Sequence, residues 1–198
     1  MRRAHAVAAV LVTLASAACK VDARQDYLGD QNGKPLGFGH TPAPGVIAAQ
    51  DIDVTPSGAG LPAGNGNAAQ GAPVFASQCA GCHGANGQGL PPYPQLIGGQ
   101  KGTFDFANDP KLVRTIGNYW PYATTLFDYI RRSMPLTAPG SLSADQTYAV
   151  TAYLLEQEGV IPPGTVMDAR SLPQVKMPGR DHFVSDDRRG STGGKNAR

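Results

Sequence analysis

The sequence is poor in charged side chains and has no long hydrophobic run. Only 16% of its 198 residues are Asp, Glu, Lys or Arg, against about 25% in an ordinary globular protein. This share argues against a charge-rich disordered chain and against a coiled coil. No stretch after residue 18 approaches the ~20 apolar residues that a membrane-spanning helix needs. These absences exclude an integral membrane protein, and the composition fits a compact domain with loosely structured flanks best.

Residues 1–18 have the pattern of an export signal. Arg2 and Arg3 form the basic end, residues 6–14 are apolar, and small residues precede Cys19. We expect Cys19 to be the acylated first residue of a lipoprotein, because an unpaired thiol is a liability in an oxidising compartment. Two acyl chains there would hold the protein at a membrane surface. The alternative is cleavage after Ala17, which leaves a free thiol near the new end. Both alternatives predict a periplasmic protein.

The mature chain is predicted to be electrically neutral. The whole sequence has 17 basic and 15 acidic side chains, and removal of residues 1–18 takes away two arginines and no acid. A nucleic-acid-binding protein would show a basic stripe interleaved with aromatic residues, so no nucleic-acid partner is expected. Residues 180–198 are polar and are predicted to form a solvated tail.

Glycine and proline divide the remaining chain. There are 25 glycines and 17 prolines, well above the average combined share of about 12%, and they recur through residues 19–67 without a helical period. We therefore predict an extended linker over 19–67, one small domain over 68–160, and an extended C-terminal segment over 161–198. Within the linker, only residues 46–54 are apolar enough to pack on another element.

Four short helices are predicted between residues 68 and 160, with neither strand pattern nor internal repeat. The first begins near Gly71, which puts Pro73 in its first turn, where the missing N–H costs nothing. The second begins at Asp109, whose side chain would cap it, and ends at Gly117.

The third and fourth predicted helices have clearer ends. The third follows Pro121 and ends at Met134, since a proline comes next. The fourth begins with a capping box formed by Ser143 and Gln146 and ends at Gly159. These features predict a small all-α domain. Because four short helices bury little apolar surface by themselves, another group must fill the centre.

The segment Cys79-Ala80-Gly81-Cys82-His83 has the spacing at which a c-type haem is attached. Two thiols three residues apart on a helical turn reach two vinyl groups on one porphyrin edge, and His83 then presents its imidazole to the iron. One covalent haem c would also supply the missing apolar centre. The sequence therefore predicts that Cys79 and Cys82 bind the haem and that His83 is an axial ligand.

Three other roles for these residues fit less well. A structural zinc site needs four ligands, and the other candidates, Cys19, His40 and His182, do not stand at a partner spacing. A thioredoxin-like Cys-x-x-Cys belongs beside a βαβ pattern, which is absent from the sequence. A simple disulfide between the two cysteines would leave His83 without a role.

The second axial ligand is predicted to be Met134. It follows His83 by 51 residues and stands at a helix end, where a loop can bring its thioether over the other haem face. Met177, His40, His182 and an open iron site are the alternatives. Ligation by His and Met raises the reduction potential, and a six-coordinate iron of this kind passes single electrons and does not bind oxygen.

Several other residues have weaker predicted roles. Gly71 and Phe75 are expected to meet Val150 and Tyr153 where the first and last helices cross. Arg131 and Arg132 are expected on a solvated helix face. Three side chains are candidate donors to buried haem propionates: Arg114, Trp120 and Tyr122.

These motifs resemble a class I cytochrome c: Cys79 to His83, Met134 followed by Pro135, and the capped last helix. Four longer strings are similar to the cytochrome subunit of periplasmic sulfite dehydrogenases and of the Sox sulfane dehydrogenase. They are GFGHTPAP, AAQDIDVTPSGAGLPAGNGNAAQG, TIGNYWPYATTLFDYIRRSMPLTAPGSLSADQTYAVTAYLL and VKMPGRDHFV, which fall between Gly37 and Val184. The resemblance implies a small class I fold around one haem, with residues 51–67 and 175–184 against the domain or a partner.

The resemblance also implies a role in electron transfer without substrate chemistry in this chain. Electrons would come from a molybdenum-cofactor subunit that oxidises sulfite or sulfane sulfur, and would leave to a downstream cytochrome c. The single Cys-x-x-Cys-His favours the sulfite type, because sulfane dehydrogenase cytochromes often carry a second haem domain. Pro73 is a departure from the family, which commonly has a polar residue that favours a helix at this position. A free-standing carrier to a terminal oxidase, and a haem enzyme or sensor with an open distal site, are the alternative functions.

Overall fold

The computed structural model describes residue 37 and residues 39–184. Cys19, the predicted export signal and the end of the tail lie outside these residues. The chain forms two units, residues 1–48 and 49–198. Helix α1 (Pro44–Gln50) has no buried residue, and it lies where only a linker was predicted. Proline is well tolerated at the first position of a helix, which explains how α1 begins at Pro44.

Five further helices belong to the larger unit. They are α2 (Ala68–Gln78), α3 (Ala80–His83), α4 (Ile116–Tyr119), α5 (Ala123–Ser133) and α6 (Ala144–Gln157). Helix α6 packs against both α2 and α5. Its Tyr148, Ala152 and Leu155 are fully buried, one turn or two apart on the helix. The all-α prediction is therefore confirmed, as are the third and fourth helices and the Ser143–Gln146 capping box.

Helix α2 begins earlier than predicted. Asn67 and Gln70 form a capping box, in which each side chain accepts the other residue's N–H at 3.0 Å. Pro73 therefore lies inside the helix rather than in its first turn. Both Pro73 and Ala69, whose carbonyl loses its helical donor, are exposed. Water can hydrogen-bond that carbonyl, and this is why the proline is tolerated.

The second helix was predicted wrongly. The Asp109 side chain accepts the Lys111 N–H at 2.9 Å, but this makes only a turn. Helix α4 begins later, where Asn118 Oδ1 accepts the Thr115 N–H at 2.7 Å. Gly117 lies within α4 rather than at a helix end. The local capping signal at Asp109 was genuine, but the chain makes only a turn there, and the cap formed by Thr115 and Asn118 starts the helix at Ile116 instead.

Segments on both sides of the helices pack against them. The two-residue strands β1 (Asn65–Gly66) and β2 (Met167–Asp168) pair antiparallel. Val54 is 5% exposed, Leu172 is fully buried and Met177 is 4% exposed, and all three belong to the same hydrophobic core as the helices. The core of this unit is therefore built from the flanking segments as well as from the helices.

Arg131 and Arg132 do not lie on a free solvated face. The Arg131 guanidinium donates to the Ile52 carbonyl at 3.3 Å, and Arg132 bridges Asp53 and the buried Asp128. Asp128 Oδ1 also accepts a hydrogen bond from the Val54 N–H at 2.9 Å. These bonds hold residues 52–54 along α5. Arg132 is exposed, as expected, but Arg131 is half-buried, and both bind the preceding segment.

The first residues of the polar C-terminal segment also contact the domain. Arg180 lies over the Tyr122 ring at 5.0 Å, and His182 stacks on Phe104 at 3.9 Å. Residues 180–184 are exposed, as predicted for the tail, but Arg180, His182 and Phe183 also contact aromatic rings of the domain. Among the residues that the structure describes, no helix has the length and apolar character to cross a membrane.

Candidate functional site

Cys79 and Cys82 stand on one helical turn. Cys79 ends α2 and precedes α3, and its carbonyl accepts the N–H groups of Cys82 and His83 at 3.1 and 2.9 Å. Both thiols are half-buried, and within residues 39–184 neither takes part in a disulfide. The backbone therefore presents two thiols and an imidazole from five consecutive residues.

Burial raises the pKa of the Cys79 thiol to about 11, and the neighbouring Cys82 contributes to the rise. The sulfur consequently stays protonated near neutral pH. Cys79 and Ala80 both pack against the hydrophobic core. This side of the site is therefore apolar, as the edge of a porphyrin requires.

The orientation of the His83 ring is fixed by a backbone carbonyl. Its Nδ1–H donates to the Pro94 oxygen at 2.9 Å. Since that carbonyl can only accept, Nδ1 carries the proton and the Nε2 lone pair is left to bind a metal. Pro94 lies in the loop over residues 84–98, in which the Gly87 carbonyl accepts the N–H groups of Leu96 and Ile97.

Met134 stands at the end of α5. Its N–H donates to the Ile130 carbonyl at 3.0 Å, and its half-buried side chain packs against the same hydrophobic core as Cys79. The alternative Met177 is buried in that core, and the His182 ring is stacked on Phe104. His40 belongs to the other unit of the chain.

This donor set suits a covalent haem. Two thiols on one turn can form thioethers, and an imidazole with its Nδ1–H already bonded can offer Nε2 to iron. The Met134 thioether lies at the end of another helix and packs against the same core. Within the described part of the chain, no three His, Cys, Asp or Glu side chains cluster as a separate metal site.

The three candidate propionate donors have other partners. The Trp120 indole N–H donates to the Thr125 hydroxyl at 3.0 Å. The Arg114 guanidinium lies over the rings of Phe106 and Tyr119. Tyr122 lies under Arg180. These contacts give each side chain a packing role.

Sequence reasoning missed Glu158, a buried carboxylate at the end of α6. Its Oε1 accepts the Gly98 N–H at 2.7 Å. Burial raises its pKa, and the Gly98 N–H and the Lys101 charge partly oppose the rise. A signal was present, because a carboxylate at a helix C-terminus is unfavourable to the helix dipole and needs another reason to be there.

A small all-α fold with this donor set is the architecture of a class I c-type cytochrome. The sequence profile of the cytochrome c family matches residues 68–158. The chain is also 41% identical to a chain in the crystal structure of the sulfane dehydrogenase SoxCD from Paracoccus pantotrophus. That match covers 79% of this chain and 75% of the other, with a TM-score of 0.68.

The chain therefore belongs to the cytochrome c family. It is an electron carrier of that family, and the family implies a covalent haem c. No curated protein sequence shows a significant match to it.

Proposed function

We propose that this protein is the single-haem cytochrome subunit of a periplasmic dehydrogenase that oxidises sulfite or sulfane sulfur. The observation that carries the proposal is the 41% identity to a chain of a sulfane dehydrogenase over most of both chains. Electrons would enter from a molybdenum-cofactor subunit and leave to a downstream cytochrome c. The chain itself would perform no substrate chemistry.

The residues of the site have separate roles in this proposal. Cys79 and Cys82 would hold the haem covalently, and His83 and Met134 would bind its iron. When bound, the haem would supply a one-electron couple at its iron. The Met134 thioether would favour the reduced state, while the Pro94 carbonyl, by accepting the Nδ1–H, makes the His83 imidazole a better electron donor.

The presence of a single Cys-x-x-Cys-His supports one haem and favours the sulfite type of dehydrogenase. We further propose that residues 68–160 form the cytochrome domain and that the mature protein resides in the periplasm. There Cys19 would be acylated and would hold the protein at a membrane surface.

The segment that contains His83 has no charged side chain. No Asp, Glu, Lys or Arg occurs between Asp53 and Lys101, and within this stretch Leu90 and Tyr93 are exposed. The Tyr93 ring is 6.4 Å from that of His83, edge-on. An apolar surface of this kind supports contact with a partner through burial of Leu90 and Tyr93 rather than through ion pairs.

Two measurements on native material test the proposal. The tagged protein is isolated from periplasmic extract, and its haem and molybdenum contents are determined. We expect stoichiometric haem that survives denaturation and acid-acetone extraction, together with a molybdopterin protein. A matched Cys79→Ser, Cys82→Ser chain should lose its haem in the extraction. Loss of all colour from the unaltered protein would contradict haem attachment, and a clean monomer without molybdenum would contradict the partner.

A further inference from the structure

The Glu158 carboxylate of the larger unit is buried and has no role in the site described above. It is only 6% exposed, yet it lies at the C-terminal end of α6, where a negative charge is unfavourable. Its clearest contact is the 2.7 Å hydrogen bond from the Gly98 N–H. The two residues are 60 positions apart in the chain, so this bond joins a loop to the last helix.

Gly117 makes room for the carboxylate. A Cβ atom on Gly117 would overlap Oε2 of Glu158 and would lie 2.8 Å from its Cδ. Nearby, the Ile116 N–H donates to the Leu96 carbonyl at 3.0 Å. Glu158 therefore lies where the start of α4, the end of α6 and the loop over residues 84–98 meet.

That loop carries the group that orients His83. Pro94, whose carbonyl accepts the His83 Nδ1–H, is four residues before Gly98. Between them, Leu96 and Ile97 are tied back to the Gly87 carbonyl, and the Gln95 side chain donates to the Ile97 carbonyl at 2.7 Å. The short stretch from Pro94 to Gly98 is thus internally bonded, and it connects Glu158 to the carbonyl that holds His83.

We propose that Glu158 is a positioning residue for His83: by holding Gly98, it fixes the loop that places the Pro94 carbonyl against the His83 imidazole. The inference rests on the proposed function in one respect, the assignment of His83 as a haem ligand. Glu158 does not itself touch His83 in this scheme. It acts through five residues of bonded backbone.

The test uses the haem-loaded full chain in its reduced state and follows exchange of the His83 ring N–H with water by NMR. Glu158→Ala removes the acceptor for Gly98, whereas Glu158→Gln keeps an oxygen in its place. The matched control is Glu156→Ala, since Glu156 accepts a backbone N–H from a different loop, that of Gly164, at 2.9 Å. Exchange of the buried Leu155 N–H serves as the reporter of global unfolding.

We expect Glu158→Ala to accelerate exchange of the His83 ring N–H about tenfold or more, as for a lost hydrogen bond to a charged group. Glu158→Gln should restore most of the protection, and Glu156→Ala should leave it unchanged. The Leu155 N–H should accelerate less than the ring N–H. If the Ala variant does not fold, Glu158→Asp replaces it, because the shorter side chain also withdraws from Gly98.

Two results would overturn the proposal while leaving the proposed function intact. One is an unchanged ring N–H exchange rate in Glu158→Ala, and the other is equal acceleration at His83 and Leu155. Absence of a protected His83 ring N–H in the unaltered haem protein would show that the Pro94 carbonyl does not hold the imidazole, and would also overturn this proposal while leaving the ligand assignment intact.

Discussion

Gly71 of α2 lies directly against the carbonyl of Ala149 in α6. A Cβ atom on Gly71 would overlap that oxygen and would lie 2.8 Å from the Cβ of Tyr153. One turn further along α2, the Phe75 ring lies 5.1 Å from the Tyr153 ring. The predicted contact of Gly71 and Phe75 with the last helix is therefore confirmed, and the absence of a side chain at Gly71 sets the distance between the helices.

Gly71→Ala is expected to destabilise the fold by about 1–3 kcal/mol, because overpacking against a backbone atom forces the two helices apart. The higher helix propensity of alanine, about 1 kcal/mol, offsets only part of this loss. Urea unfolding of the haem-loaded protein measures the change. Gly45→Ala in α1 is the control, since a Cβ there meets no atom within 4 Å. A Gly71 variant as stable as the unaltered protein would refute the close-packing argument.

Met134→Ala should lower the reduction potential by on the order of 0.1 V or more, since axial ligands set haem potentials over a range of about 0.8 V. The reduced variant should also bind carbon monoxide rapidly, whereas the unaltered protein resists it. Potentiometry and absorption spectra of both proteins provide the measurement.

Met177→Leu is the matched control for that experiment. Met177 is buried in the hydrophobic core, so a swap of similar volume should cost less than about 1.5 kcal/mol and leave the spectrum unchanged. If Met177→Leu shifts the potential and Met134→Ala does not, the distal assignment is wrong. Rapid carbon monoxide binding by the unaltered protein would instead favour an enzyme or sensor with an open iron site.

Glu158 should make the protein less stable as pH rises above its ordinary pKa of 4.5. Burial raises the pKa of this carboxyl in the folded state, so between 4.5 and the raised value the folded chain holds more protons than the unfolded chain. The free energy of unfolding contributed by this group therefore falls with pH across that window. Lys101 is the charge that opposes the effect.

Glu158→Gln removes the titrating carboxyl group. The stability of this variant is therefore the reference for the pH dependence of the unaltered protein. Urea unfolding of both proteins at pH 4, 5, 6 and 7 should show the unaltered protein losing stability relative to the variant as pH rises. A stability difference that stays constant over the series would mean that burial does not raise the pKa of Glu158.

Electron transfer to and from the partner should depend only weakly on salt. Because no charged residue occurs between Asp53 and Lys101, the segment that contains His83 does not supply the charges that accelerate association 10- to 1,000-fold in electrostatically steered pairs. Stopped-flow rates at low and physiological ionic strength should differ by less than about threefold. Leu90→Glu should slow the reaction and make its rate depend on salt. A steep fall in the rate of the unaltered protein as ionic strength rises would contradict docking through apolar contacts.

The sequence predicted those elements whose signals are local and agree with the pattern of burial. Ser143 and Gln146 start α6 because the capping box is followed by a face that the core buries. Asp109 carries an equally local capping signal, but the competing capping box of Thr115 and Asn118 begins the helix later, at Ile116. The capping box of Asn67 and Gln70 was not predicted, because a proline is normally tolerated only in the first turn of a helix and this favours a start nearer to Pro73.

The contacts that depend on distant residues could not be predicted. Arg132 reaches Asp53 and Glu158 reaches Gly98 only because the fold brings separate segments together. The five residues from Cys79 to His83, by contrast, could be interpreted from spacing alone, since one helical turn determines how the thiols and the imidazole are arranged.

The Tyr148 hydroxyl donates to the Pro62 carbonyl at 2.9 Å, and this bond has a practical consequence for recombinant work. The family profile matches residues 68–158. A protein truncated to these residues would lack the Pro62 carbonyl that accepts this hydrogen bond, and would also lack Val54, Leu172 and Met177. The remaining helices would present bare apolar surface to water and would tend to aggregate. Gene boundaries chosen for crystallisation should therefore retain residues 51–184.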